Sequence, residues 1–198
     1  MEDVYKTIAE ASKAIYTEKR SRFIAYAIPV LSTRDVKNEI DKLKKEFYDA
    51  RHVCWAYMLG ADRLEFRSND DGEPSGTAGK PILGQINSNE LTNILVAVVR
   101  YFGGIKLGTS GLILAYREAA ADAIREAGII EKTVDIQISF GFEYPFMNDV
   151  MKIVKDLEPI ILEQSYDLNC SMTLEIRKAK FDELSNRLEK VESLSFIE

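Results

Sequence analysis

Asp70, Asp71, Glu73, Thr77 and Lys80 fall within one stretch, Arg67–Leu83, that also holds Gly72, Gly76, Gly79, Pro74 and Pro81. Three carboxylates and a lysine this close could hold Mg²⁺ beside a phosphate, or could cap turns and pair with Arg67, Lys80 or Arg100. The weight falls on the second role, because Gly and Pro punctuate the backbone and Asp, Ser and Thr bond their own neighbours there. A second glycine-rich stretch, Arg100–Gly111, carries Gly103, Gly104, Lys106 and Gly108 into a helix. Helix N-termini attract anions through free N–H groups, and glycines let a phosphate approach the backbone. The spacing matches neither a Rossmann nor a Walker loop, and in Gly79-Lys80-Pro81 a proline stands where Ser or Thr is required. A tight strand-to-helix turn accounts for these glycines equally well.

His52 is the only histidine, and with Cys54 it points to one face of a strand. Residues i and i+2 lie ~6.6 Å apart along a strand, too far for a direct nucleophile–base pair. One His and two distant Cys cannot supply a usual zinc site. Trp55, Tyr57, Tyr101 and Phe102 could stack on bases, although Trp55 and Tyr57 in an apolar strand read first as core.

These segments need elements to position them. Residues 21–31 read as a buried strand, apolar on both faces. Ser32 with Asp35 forms a capping-box pattern, and Val36, Ile40, Leu43 and Phe47 recur at helical spacing to about Tyr48. Val53–Leu59 reads as the next strand, with a hairpin partner beginning in Asp62–Phe66. Arg67–Glu90 has no assigned element. A buried strand, Leu91–Phe102, then delivers the second glycine-rich loop. Thr109 or Ser110 offers an N-cap for a helix that Gly128 ends. The two glycine-rich segments are therefore expected to share one site, with Thr77 and Gly79 near Gly103–Gly108. From Val134 strict alternation sets in, and strand–helix–strand–strand–helix–strand follows, the ferredoxin-like order. Its central turn is expected at Asp167-Leu168-Asn169. The boundary is placed near Glu131–Thr133, giving domains 1–132 and 133–198.

Composition is that of an ordinary globular protein: 198 residues, 46% hydrophobic and 29% charged. No signal-peptide pattern and no apolar run of membrane-spanning length is present. Two cysteines in different domains argue against a disulfide framework and for a reducing cytoplasm. The net charge of −6 resides in residues 133–198, with 7 basic and 13 acidic side chains, whereas residues 1–132 balance at 19 of each. Nucleic-acid contact would fall to the first part, through a local basic patch.

Asp70–Leu83 and Val99–Gly108 resemble the two signature segments of the IMPACT/YigZ family, supported by Lys19–Ala25 and Arg51–Tyr57. The resemblance covers nearly the whole chain and its bacterial two-domain layout. It implies an α+β protein: an N-terminal domain like the ribosomal-protein and elongation factor G domain IV fold, and a ferredoxin-like βαββαβ domain similar to elongation factor G domain V. Eukaryotic relatives restrain translational-stress signalling by competing for a kinase-activating partner through an extra N-terminal domain. The chain from Met1 is read as starting at the shared domain, so that partner role is not expected to carry over whole. Some relatives have borne peptidase-like labels, which no metal or nucleophile constellation here supports. The expectation is a cytoplasmic, non-enzymatic, translation-associated protein without metal or cofactor, contacting RNA or a ribosomal component. Arg51, Arg67, Lys80, Arg100 and Lys106 would meet phosphates, with Gly103, Gly104 and Gly108 bringing backbone close. Asp70, Asp71, Gly72, Glu73, Thr77 and Gly79 would shape the loops, the carboxylates orienting the basic side chains. The alternatives are a phosphate-ester enzyme like kinases of the galactose/homoserine/mevalonate type, and a protein-docking module using the acidic domain.

Overall fold

Ile94–Tyr101 is apolar without alternation because it is covered on both faces: Ile94 through Val99 are each fully buried. In the computed structural model, which describes residues 3–167 and 169–197, this strand is the centre of a five-stranded antiparallel sheet. The chain divides into two compact units, one of residues 5–132 and one of residues 133–198 joined by Asp3 and Val4.

β1 (Val4–Ile8) pairs with β7 (Ile129–Thr133) in a separate two-stranded ribbon, all of it but Val4 and Thr133 within the larger unit, to which the next sheet belongs. The sheet runs β2 (Ser12–Glu18), β3 (Ser21–Pro29), β6 (Ile94–Tyr101), β4 (His52–Leu59) and β5 (Glu65–Asn69) in that spatial order. One face packs on α2 (Gly79–Ser88) and α3 (Gly108–Ala127), with Phe23, Cys54, Val96, Val98, Ile82 and Tyr116 in the core. The other carries α1 (Thr33–Glu46), whose Val36, Ile40 and Leu43 meet Leu95, Ala97, Val53 and Tyr57. At the start of α1 the Asp35 N–H donates to Ser32 Oγ, and the Ser32 hydroxyl and Leu31 N–H donate to the Asp35 carboxylate. The capping box thus closes as its residues dictate.

Two local expectations are corrected, and three strands had not been expected. Gly79–Ser88 is helical rather than loop. Pro81 is tolerated in the first turn, and only Gly79, Ile82 and Ile86 are buried, too few to announce a helix by periodicity. The N-terminus of α3 is at Leu107 and Gly108, with no side-chain cap from Thr109 or Ser110. Short edge elements β1, β2 and β7 carry too little apolar pattern to be read from the residues. Gly128 does end α3, with φ +69°.

The smaller unit is a four-stranded antiparallel sheet in the order β11 (Ser195–Ile197), β8 (Asp135–Glu143), β10 (Asn169–Arg177) and β9 (Ile160–Tyr166). Phe140 stands opposite Met172 and Ile138 opposite Leu174. Their alternating apolar face is covered by α4 (Met147–Leu157) and α5 (Lys178–Leu188) through Val150, Val154, Leu184 and Leu188. At one end the Asp3 carboxylate accepts from Arg177 at 2.6 and 2.8 Å and from the Ala179 N–H. The protein is therefore mixed α/β throughout. Leu168, at the tip of the expected β9–β10 turn, lies outside the described residues.

Candidate functional site

β6 hands the chain from the sheet into Phe102–Leu107 and then α3, and this corner borders a cleft of about 760 Å³. Arg51, His52, Arg100 and Lys106 line it, with Glu73 and Pro74 from the first glycine-rich segment and Gly108 and Thr109 from the second. Both segments line this one cleft. Their meeting point is Glu73 against Arg100; Thr77 instead closes its own turn by donating to the Pro74 carbonyl, and Gly79 packs on Asn69 backbone.

Glu73 is the organising residue. Its Oε1 accepts from Arg100 Nη1 at 2.6 Å and from the Tyr116 hydroxyl at 2.7 Å, with the Glu73 and Arg100 side chains only 3% and 10% exposed. Arg100 lies over the Phe23 ring, 5.6 Å from its centroid, and against Phe102 at 5.8 Å. Its Nε is buried without a hydrogen-bond partner among the described residues. Expected as an exposed phosphate ligand, Arg100 is instead committed to a buried ion pair, because β6 aims position 100 into the α3 face beside Phe23 and Cys54. Burial raises the Tyr116 hydroxyl and pushes the Cys54 thiol up to about 12, so both stay protonated. The thiol donates to the Asp70 carbonyl and lies 3.4 Å from the Tyr116 hydroxyl.

The aspartates take different work. Burial would raise the Asp70 carboxyl, but the N–H groups of Gly76, Gly79 and Ala78 donate to it and hold it below the ordinary value. Asp70 thus caps its own turn and the start of α2 from up to nine residues away, one of the two roles its residue type suggested. Asp71 accepts from the Val53 N–H at 2.8 Å and pairs with Lys44 at 3.0 Å. Its carbonyl meets His52 Nδ1 at 2.8 Å, beside Gly72 at φ +88°. Both carboxylates serve as backbone fasteners, and no group of three or more His, Cys, Asp and Glu side chains able to hold a metal occurs among the described residues.

Of the five predicted cations, Arg51, Arg100 and Lys106 line the cleft and two do not. Lys80 sits exposed in the first turn of α2, outside the lining. Arg67, on β5, borders a separate groove with Trp55, Tyr57 and α1 residues. Gly104 and Gly108 hold φ of +88° and +72°, which sets the path of the loop into α3. Gly103 has a different purpose: a Cβ there would fall 2.1 Å from the Arg20 carbonyl carbon, and its N–H donates to Ser21 Oγ at 3.2 Å. Tyr116 and Ser21 are the participants that residue reading missed. A tyrosine among the alanines of an apolar helix face was the visible signal for Tyr116.

No helix among the described residues is long and apolar enough to cross a membrane. The Impact N-terminal domain matches residues 19–124. The IMPACT family member YvyE of Bacillus subtilis is 33% identical over 165 residues, covering 83% of this chain and 76% of that protein. The IMPACT family member YigZ of Escherichia coli is 33% identical over 172 residues, covering 86% and 84%. A crystal structure described as that of a hypothetical protein is 30% identical, with TM-score 0.75, over 100% of this chain and 98% of that one. The domain match takes in both glycine-rich segments, the Glu73–Arg100 pair and the cleft they line, and on these grounds the chain belongs to the IMPACT family.

Proposed function

We propose that this protein acts in the control of translation, binding RNA or an RNA-bearing ribosomal component through the unit of residues 5–132. One observation carries the reading: Arg51 and Lys106, in no ion pair among the described residues, border one open cleft beside a helix N-terminus that no described side chain caps. Phosphates meet both kinds of donor favourably, cationic side chains and free backbone N–H groups. In this reading the protein is cytoplasmic and performs no chemistry, and Glu73 with Arg100 serves as the rigid wall of the cleft. On the same reading the larger unit has the ribosomal-protein and elongation factor G domain IV fold, as the family resemblance implies. The spatial strand order of the smaller unit, fourth–first–third–second, supports a ferredoxin-like fold akin to domain V of that factor.

The test is equilibrium binding of a fluorescein-labelled oligouridine across a salt series. Exchanging Arg51→Gln and Lys106→Gln together should flatten the log–log salt slope by about 1.4, at ~0.7 per lost phosphate contact on a single strand. Unchanged affinity and slope in the folded double variant would overturn this reading of the cleft.

A further inference from the structure

The turn between β2 and β3 is occupied by Lys19 and Arg20, since Glu18 and Ser21 are the last paired residues. Both adopt the left-handed region, with φ of +45° and +67°. A two-residue hairpin loop with both φ positive favours Asn-Gly or Gly-Gly, and long cationic side chains are poor occupants of it. Backbone strain of this kind persists where the surroundings hold it. Here they do: Gly103 leaves no room for a Cβ against the Arg20 backbone, and its N–H donates to Ser21 Oγ. The hairpin tip is thus docked onto the loop that borders the cleft. Arg22, the next residue but one, stands opposite Tyr101 on β6. On the other flank of β6 the His52–Arg100 pairing brings Arg51 level with that same Tyr101. Lys19, Arg20 and Arg22 are exposed, and among the described residues none of them is in an ion pair. Of the acidic groups bordering this rim, Glu73 is balanced by Arg100 in the buried pair, whereas Glu18 and Asp49 keep their charge while accepting from the Tyr16 and Tyr101 hydroxyls. The rim therefore carries more cations than anions rather than cations alone.

We infer that the β2–β3 hairpin tip is the second half of the binding surface, where Lys19, Arg20 and Arg22 engage the phosphates of an RNA strand that runs on from the cleft. This rests on the reading of the cleft as an RNA site and extends it to residues outside the lining. The unfavourable turn residues are kept for their charge, so binding and backbone comfort oppose each other at this turn.

That opposition supplies the experiment. The variant Lys19→Asn with Arg20→Gly installs favoured turn residues and removes two cations; Lys19→Gln with Arg20→Gln removes the charge alone. Binding of labelled oligouridine over a salt series and the urea midpoint are read for both, beside Arg51→Gln with Lys106→Gln. The expected result is a salt slope flatter by about 1.4 in each hairpin variant, with the Asn-Gly midpoint equal to or above that of the unaltered protein. Hairpin variants that bind as the unaltered protein does, while the Arg51 and Lys106 exchange weakens binding, overturn this inference and leave the cleft reading standing. Absence of oligouridine binding by the unaltered protein removes both. Displacement of the oligouridine by polyglutamate at equal charge assigns the surface to an acidic protein and likewise overturns the inference.

Discussion

Replacing Glu73 by alanine should destabilise the larger unit by about 3–5 kcal/mol, the range for stripping one partner from a buried ion pair. The structure places this site at the severe end for three reasons. The carboxylate is 3% exposed, it is the acceptor for both Arg100 and Tyr116, and among the described residues the buried Arg100 Nε has no hydrogen-bond partner of its own. Losing Glu73 would leave a guanidinium among Phe23, Phe102 and Cys54 with no counter-charge. Trp55, the only tryptophan, lies in β4, so its fluorescence follows unfolding of this unit alone. In a urea titration the Glu73→Ala midpoint should fall with little change in slope. Adding Arg100→Met removes the stranded charge and should return much of the loss, a coupling that a double-mutant cycle measures. A single-variant loss below about 1 kcal/mol, the level of an exposed pair, would refute the picture of a desolvated, charge-balanced wall.

Three further outcomes follow from particular contacts. Gly103→Ala should cost about 1–3 kcal/mol by the same fluorescence assay, as overpacking against backbone does, and more than Gly104→Ala, where a Cβ meets open space and only the positive φ is penalised; the reverse ranking would show that the hairpin tip is not docked there. Arg177 holds the Asp3 carboxyl down to about 2 from 3.8, so its contribution is present above pH ~4 and lost as pH falls toward 2. Asp3→Asn should therefore be less stable than the unaltered chain at neutral pH, with the gap closing over that window in far-UV circular dichroism melts; a pH-independent gap would sink the assignment. Cys54 and Cys170 are both buried and free, and burial pushes the Cys54 thiol up to about 12, so neither should react with a thiol reagent at pH 8 until urea unfolds the chain.

Much of the scaffold was readable because the residues involved act on near neighbours. Ser32 with Asp35 announces α1, Gly128 ends α3, and the alternation of Ile138, Phe140 and Phe142 marks a sheet covered on one face. What escaped depends on partners far along the chain. Asp70 caps α2 across nine residues, so no local signal marks that helix, and two buried isoleucines are too few to supply one. The site was half legible. Glycine and charge pointed to both loops, and they do meet, but whether a given cation is free or buried depends on which face of β6 it occupies. Arg100 is one step from Tyr101 in sequence, yet faces the opposite layer. Tyr116, which completes the network, is 43 residues from Glu73.

Asp3 and Val4 group with residues 133–198, so the smaller unit is interrupted in sequence while the larger one is contiguous. Tyr5 and Lys132, the ends of the larger unit, both lie in the paired strands of the β1–β7 ribbon. The larger unit is therefore nested, entering and leaving through neighbouring strands, an arrangement that lets a piece be spliced into a host loop without stretching either junction. The smaller unit has no such portability. Copied as residues 133–198 alone, it leaves behind the carboxylate that receives Arg177 and the Ala179 N–H. Genetic exchange should accordingly move the nested piece by itself far more readily than its interrupted neighbour, and a gene fragment for the latter needs Asp3 restored at its start or linked back through a permuted terminus.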